Sequence, residues 1–285
     1  MVPAMRRSAI VTAILAALVS PAVAGAQSGV IAGDFGGGAV LAPPTPAFAP
    51  GSMLVSLRAD GSSNVRIEAT LLGACASGTF ATTAAVAVDG SFSASGVVRQ
   101  ATTRMRYELR GTLSEVPAGT ATARFERTVA NRTRRCSAQD VRWDARRRSA
   151  GFGTAAAVRA GSSLFGLSSQ ARPRGIVLRI AADGRALGRA LYGVTLGCTG
   201  GVSSPALDLP RDDLAILPDG RVRDRETGTR RTATSILKYV ERFAATLGSA
   251  GAEGMYSVEL IVRSRRTGRH LTSCRSGVVR WSASY

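Results

Sequence analysis

The sequence predicts an all-β protein: two tandem, internally repeated antiparallel β-sandwich or small-barrel domains, each closed by one disulfide. Three observations lead there. Short segments alternate apolar and polar residues, Asp-Gly pairs punctuate them, and a Cys-and-Trp pattern occurs twice in register.

The alternation is clearest where Met53-Leu54-Val55-Ser56-Leu57-Arg58 runs into Asp60-Gly61 and Val65-Arg66-Ile67-Glu68-Ala69-Thr70-Leu71 leaves it. A two-residue period puts every second side chain on one face, so this reads as a hairpin covering a core. Met105–Arg110, Tyr256–Val262 and Val279–Trp281 alternate in the same way, and Asp89-Gly90 and Asp219-Gly220 supply further turns. One segment fits two periods. Ser235–Leu247 places Ile236, Val240, Phe243 and Leu247 on a helical stripe, or Leu237, Tyr239, Phe243, Ala245 and Leu247 on a strand face. Its place in the repeat matches the strand around Tyr107, which favours strand.

The repeat rests on anchors with fixed spacing. Asp60-Gly61 precedes Cys75 at the distance by which Asp183-Gly184 precedes Cys198. The segment from Cys136 through Trp143 to Ala145 aligns without gaps on Cys274 through Trp281 to Ala283, so the only two Trp share one core slot. Asp34-Phe35-Gly36 is matched to Gly151-Phe152-Gly153 as the start of each copy. The pairing this predicts is Cys75–Cys136 and Cys198–Cys274, one bridge per copy. The expected division is a signal at residues 1–26, a first β domain at 27–148 and a second at 149–285. Because each Trp follows its second Cys instead of lying between the two, the unit lacks the immunoglobulin arrangement.

Residues 1–26 have the three parts of a cleavable secretory signal. Arg6 and Arg7 form a basic start, Ile10–Val19 an apolar run, and Ala24-Gly25-Ala26 a small-residue cleavage site. The mature chain is therefore expected outside the cytoplasm, secreted or periplasmic, where four Cys can oxidise. No other segment is long and apolar enough for a spanning helix. The ending Val279, Trp281, Ala283, Tyr285 resembles the last strand of an outer-membrane barrel, yet the same pattern occurs internally around Trp143, so it reads as a core strand.

The chain has 37 basic and 19 acidic residues; loss of Arg6 and Arg7 leaves 35 against 19, a net charge of +16. Such a surface attracts polyanions, including anionic envelope polymers and polysaccharides. The densest stretch, Arg124–Arg148, holds Arg132, Arg134 and Arg135, and a second run holds Arg263, Arg265, Arg266 and Arg269. These seven are the candidate polyanion contacts. A specific nucleic-acid function is not expected, since no recognition motif and few stacking aromatics accompany the charge. Nearly all of it is Arg in an Ala- and Gly-rich chain, so genomic composition is a competing explanation.

A catalytic constellation is hard to assemble. His270 is the only His and no GxSxG elbow occurs, so the nucleophile–base arrangement of a serine hydrolase has no sequence support. One His and four paired Cys leave too few ligands for zinc, so neither metal nor cofactor is expected. Asp208, Asp212, Asp213, Asp219, Asp224 and Glu226 cluster in a stretch read as a loop, interleaved with Arg211, Arg221, Arg223, Arg225, Arg230 and Arg231. They could hold calcium or supply a glycosidase pair, but surface ion pairs on a long hairpin fit the interleaving better. The expected function is a non-catalytic binding or structural module of the bacterial envelope or extracellular space. The alternative is an extracellular hydrolase acting on envelope carbohydrate.

Overall fold

A computed structural model describes residues 31–40, 51–100, 102–148, 158–200 and 203–285, the side chains of 203–210 excepted. The expected signal, the proline-rich stretch at 42–50 and the Gly151-Phe152-Gly153 match lie outside the described residues.

Every regular element among the described residues is a β-strand. The first sheet contains β1 (Gly33–Ala39), β2 (Met53–Ala59), β3 (Asn64–Leu72), β4 (Ser77–Ala85), β5 (Ser91–Gln100), β6 (Thr103–Thr112), β7 (Ala118–Val129) and β8 (Arg132–Arg147). The second contains β9 (Ser163–Ser168), β10 (Gly175–Ile180), β11 (Ala186–Cys198), β12 (Ser203–Ala215), β13 (Arg221–Arg231), β14 (Ser235–Leu247), β15 (Gly251–Ser264), β16 (His270–Arg275) and β17 (Val279–Ser284). Residues 235–247, which fitted two periods, are thus a strand. Helical periodicity lost because β14 pairs along its whole length with both β13 and β15.

Both sheets are antiparallel meanders that close on themselves. The first runs β4-β3-β2-β1-β8-β7-β6-β5, so its two edges are consecutive strands, and a single bridge, Val86 to Phe92, joins them. The second runs β12-β11-β10-β9-β17-β15-β14-β13, with β16 tying β11 to β15. Each is a barrel with one seam, β4/β5 in the first and β12/β13 in the second.

Local chemistry explains the turns. Gly61, Gly90, Gly184 and Gly220 have φ of +85°, +81°, +71° and +75°, the left-handed region that L side chains avoid. In each, the preceding Asp Oδ1 accepts the N–H two residues ahead, from Ser62, Ser91, Arg185 and Arg221. The four Asp-Gly pairs therefore mark the same two connections in each barrel.

Cys75–Cys136 and Cys198–Cys274 are both bridged, and each bond joins the end of a barrel's third strand to the strand that carries its Trp or immediately precedes it. Such bonds belong to a chain matured under oxidising conditions. Trp143 and Trp281 are buried, each opposite a glycine on the neighbouring strand, Gly119 and Gly254. A Cβ on either glycine would lie 2.7 or 2.6 Å from the indole, so this empty slot is what lets the ring lie flat against the wall. From these anchors every other slot can be matched. The strand equivalent to β1 is β9, where Leu164 and Gly166 stand in the places of Phe35 and Gly37.

The barrels touch through the outer faces of their early strands. Leu54 and Leu72 meet Val177 and Leu191 in a separate apolar cluster. Beside it, the Arg174 guanidinium, 3% exposed, pairs with Glu68 of the first barrel. Arg146 lies over the Phe165 ring and donates from Nε to the Tyr285 carbonyl at 2.8 Å.

Candidate functional site

Of the residues grouped as an acidic loop, Asp208, Asp212, Asp213, Asp224 and Glu226 are on strands and Asp219 is in the β12–β13 turn. Asp224 and Glu226 meet Arg211 at the seam of the second barrel, while Asp212 pairs with Arg189. Asp213, at φ +55°, puts an irregularity in β12 that lets both Leu214 and Arg211 turn inward. Arg211, 5% exposed, spans the gap between β12 and β13. Its Nη2 is 2.5 Å from Glu241 Oε2 on β14, and its Nη1 is 3.5 Å from Asp224 Oδ2 and in contact with Glu226 Oε2 on β13. Tyr239 on β14 donates to Glu226 Oε1 at 2.7 Å. One cation thus holds three carboxylates across a seam that has no hydrogen-bond ladder. The surface-pair expectation holds for Asp219 and Arg221, which are both about half exposed. It fails for Arg211, which is buried and bound to Asp224, Glu226 and Glu241.

Burial sets the electrostatics. Glu241 is 8% exposed, and its desolvation raises the carboxyl's pKa even though Arg211 opposes the shift. Tyr192 on β11 is fully buried beside the same guanidinium, and desolvation pushes its phenol up to about 12. The Tyr192 hydroxyl and Arg211 Nε have no hydrogen-bond partner among the described residues. Tyr192 stacks on Phe243 and Tyr256, and Phe243 stacks on Trp281, so an aromatic file fills the rest of this interior.

This arrangement does not leave two carboxyls facing open space, because the guanidinium occupies the space between them. Among the described residues, no group of three His, Cys, Asp or Glu could hold a metal ion. His270 Nε2 lies 2.8 Å from Ser273 Oγ, a contact that sequence reasoning missed. It is an exposed pair, and no carboxylate orients the ring among the described residues. An open depression of about 1080 Å³ lies against β4–β7 of the first barrel, and its charged lining residues, Glu108 and Arg110, bind each other.

The candidate polyanion residues fall on two hairpins at equivalent places. Arg132, Arg134 and Arg135 follow the β7–β8 turn, and Arg263, Arg265, Arg266 and Arg269 surround the β15–β16 turn; all are exposed. Arg135 Nε reaches Glu126 at 3.2 Å and Arg265 Nη1 the Thr232 carbonyl at 3.3 Å. The structure brings the first group together with arginines on neighbouring strands. Across β5, β6, β7 and β8, one outward row reads Arg99, Arg104, Glu126, Arg135, and the next reads Val97, Arg106, Arg124, Ser137.

No protein-family model and no curated protein matches the chain. Two solved structures align over most of its length. One is a "putative AttH" from Nitrosomonas europaea, at 9% identity and a TM-score of 0.22, covering 88% of this chain and 91% of that one. The other is kievitone hydratase from Nectria haematococca, at 6% identity and a TM-score of 0.21, covering 91% and 90%. Likeness at this level carries no argument about activity.

Proposed function

We propose that the chain is exported and works outside the cytoplasm as a non-catalytic binding module, its basic exterior contacting anionic polymers. The observation that supports this most is how the charges are distributed. The clustered carboxylates Asp224, Glu226 and Glu241 are tied to one guanidinium at the barrel seam, while surplus guanidiniums stand on exposed strand faces. The envelope is the setting in which an oxidised, strongly basic module meets such polymers.

A second reading, hydrolysis of envelope carbohydrate, has one feature in its favour. A buried carboxyl with a raised pKa, such as Glu241, is the type of group that serves as a general acid. One experiment separates the two. The purified mature protein is incubated with peptidoglycan, teichoic acid, heparin and DNA at two salt concentrations. Binding without release of soluble sugar is the expected result; sugar release that disappears in Glu241→Gln would establish the hydrolase instead.

A further inference from the structure

We infer that the outward face of β5–β8 in the first barrel is the polymer-binding surface, and that it takes a linear glycan or polyol polymer bearing phosphate, sulfate or carboxylate groups. This rests on the binding-module reading above and gives it a location and a ligand chemistry.

Strand pairing fixes the geometry. Arg99 lies directly opposite Arg104, and Arg106 directly opposite Arg124. Like charges facing each other across an antiparallel pair cost stability. Opposed arginines also occur at Arg58/Arg66 and Arg225/Arg242, but there Asp34 and Glu259 each bind one member of the pair, whereas the Arg106/Arg124 pair has no such acid among the described residues. Glu126 is the one acid in the two rows; it reaches Arg135 at 3.2 Å and Arg104 at 3.7 Å. Among the described residues no carboxylate lies within ion-pair distance of Arg99, Arg106 or Arg124. Five guanidiniums against one carboxylate leave this small area strongly positive. Adjacent strands are about 4.8 Å apart and rows about 6.7 Å apart, so the heads form a lattice that a repeating anion can follow.

The second barrel is an internal control for composition. In the matching rows it carries Thr229, Lys238, Ile261 and Ser273, then Thr227, Val240, Glu259 and Arg275. Two cations and one acid stand where the first barrel has five and one. The same genome encoded both faces, so an Arg-rich composition does not account for the difference.

The ligand chemistry follows from what surrounds the guanidiniums. The uncharged residues of these rows are Val97 and Ser137, and the next row inward offers Ser95, Glu108 and Thr122. No aromatic ring is among them. Base stacking on aromatics is a main source of affinity for single-stranded nucleic acid, whereas paired arginines suit anionic groups on a chain without bases.

The test uses the mature protein, with heparin, poly(dT) and phosphatidylserine vesicles as probes at low and moderate salt. Arg99→Gln/Arg106→Gln/Arg124→Gln removes three unpaired charges, and Arg263→Gln/Arg265→Gln/Arg266→Gln removes the same charge from the second barrel. The first triple variant is expected to lose about tenfold in heparin affinity and the second less than about threefold. Arg106→Gln alone should weaken heparin binding while raising the melting temperature, since it relieves a like-charge pair; this single variant serves if the triple does not fold. Equal losses in the two triple variants would overturn the assigned surface and leave generic charge. Tighter wild-type binding to poly(dT) or to vesicles than to heparin would overturn the assigned ligand chemistry. No binding of the wild type to any probe at low salt would overturn the parent reading itself.

Discussion

The two barrels share strand order, Asp-Gly turns, bridge position and the Trp–Gly slot, yet they keep their charge in opposite places. In the first barrel the seam is spanned by an apolar stack: Phe80 on β4 lies against Tyr107 on β6, ring centroids 3.7 Å apart. The Tyr107 slot holds Glu241 in the second barrel, the Ala94 slot holds Asp224, and the Gly96 slot holds Glu226. An aromatic contact has been exchanged for an ion cluster at the same structural position. On the outside the two rows that hold five arginines and one acid in the first barrel hold two cations and one acid in the second. Closing a barrel thus constrains the strand path and the Trp slot tightly, but leaves open whether the seam is sealed by rings or by charges.

The largest expected effect tests what the copies have in common. The bridges close loops of 61 and 76 residues, so replacing either Cys pair by Ser should cost about 4 kcal/mol on the chain-entropy argument. Urea unfolding of Cys75→Ser/Cys136→Ser and Cys198→Ser/Cys274→Ser should show similar losses. A much smaller loss in one variant would mean that its seam chemistry, not the bridge, holds that barrel closed.

Arg211→Met tests the difference. Removing the cation strands Asp224, Glu226 and buried Glu241 together, which should destabilise the second barrel by about 3–5 kcal/mol at neutral pH. Adding Glu241→Leu and Asp224→Ala to it, which moves the seam toward the first barrel's apolar pattern, should recover most of that loss. If the multiple variant is no more stable than Arg211→Met by thermal unfolding, the two seams are not interchangeable solutions.

How far the sequence revealed this follows from which signals are local. The hairpin at Asp60-Gly61, the two bridges and the paired Trp slots were all legible, because alternation, turn chemistry and a gapless repeat each lie within a short stretch of chain. The seam was not. Asp224 and Arg211 are separated in sequence by a turn, and interleaved Asp and Arg look the same whether they face solvent or each other. Only the irregularity at Asp213 and barrel closure decide that Arg211 points inward. The arginine rows were half legible: the alternation of Met105–Arg110 put Arg106 and Arg110 on one face, but the pairing of Arg106 with Arg124 needs the strand register.

A smaller effect probes the shared Trp slot. At Gly119 and Gly254 an added Cβ would lie 2.0 Å from the carbonyl oxygens of Arg110 and Ala244, as well as against the indoles. Gly119→Ala and Gly254→Ala should each cost about 1–3 kcal/mol through overpacking, and by similar amounts if the slots are equivalent. A markedly milder cost at Gly254 would mean that the second barrel, sealed by ions, yields more easily.

The smallest effect is a slope rather than an offset, and it separates the seams without disturbing either. Burial makes Glu241 hold its proton more tightly in the folded barrel than in the unfolded chain. As pH rises through the ordinary glutamate range near about 4.3, the unfolded chain therefore loses this proton first. Stability falls with rising pH across that window and levels off once the folded carboxyl has ionised too. Asp60, Asp89 and Asp219 act in the opposite sense, because hydrogen bonds from Ser62, from Ser91 and from the Arg221 backbone hold their pKa values down. The informative quantity is thus the difference between wild type and Glu241→Gln, which keeps the three aspartates and removes the one opposing group. Measured by urea unfolding between acid and neutral pH, that difference should shift in favour of the variant as pH rises from about 4 and then become constant. Tyr107→Phe, in the same slot of the first barrel, removes no carboxyl and should give a flat difference over the same range. A flat difference for Glu241→Gln as well would mean that Arg211 fully compensates the buried charge, and that the two seams differ in chemistry but not in their response to protons.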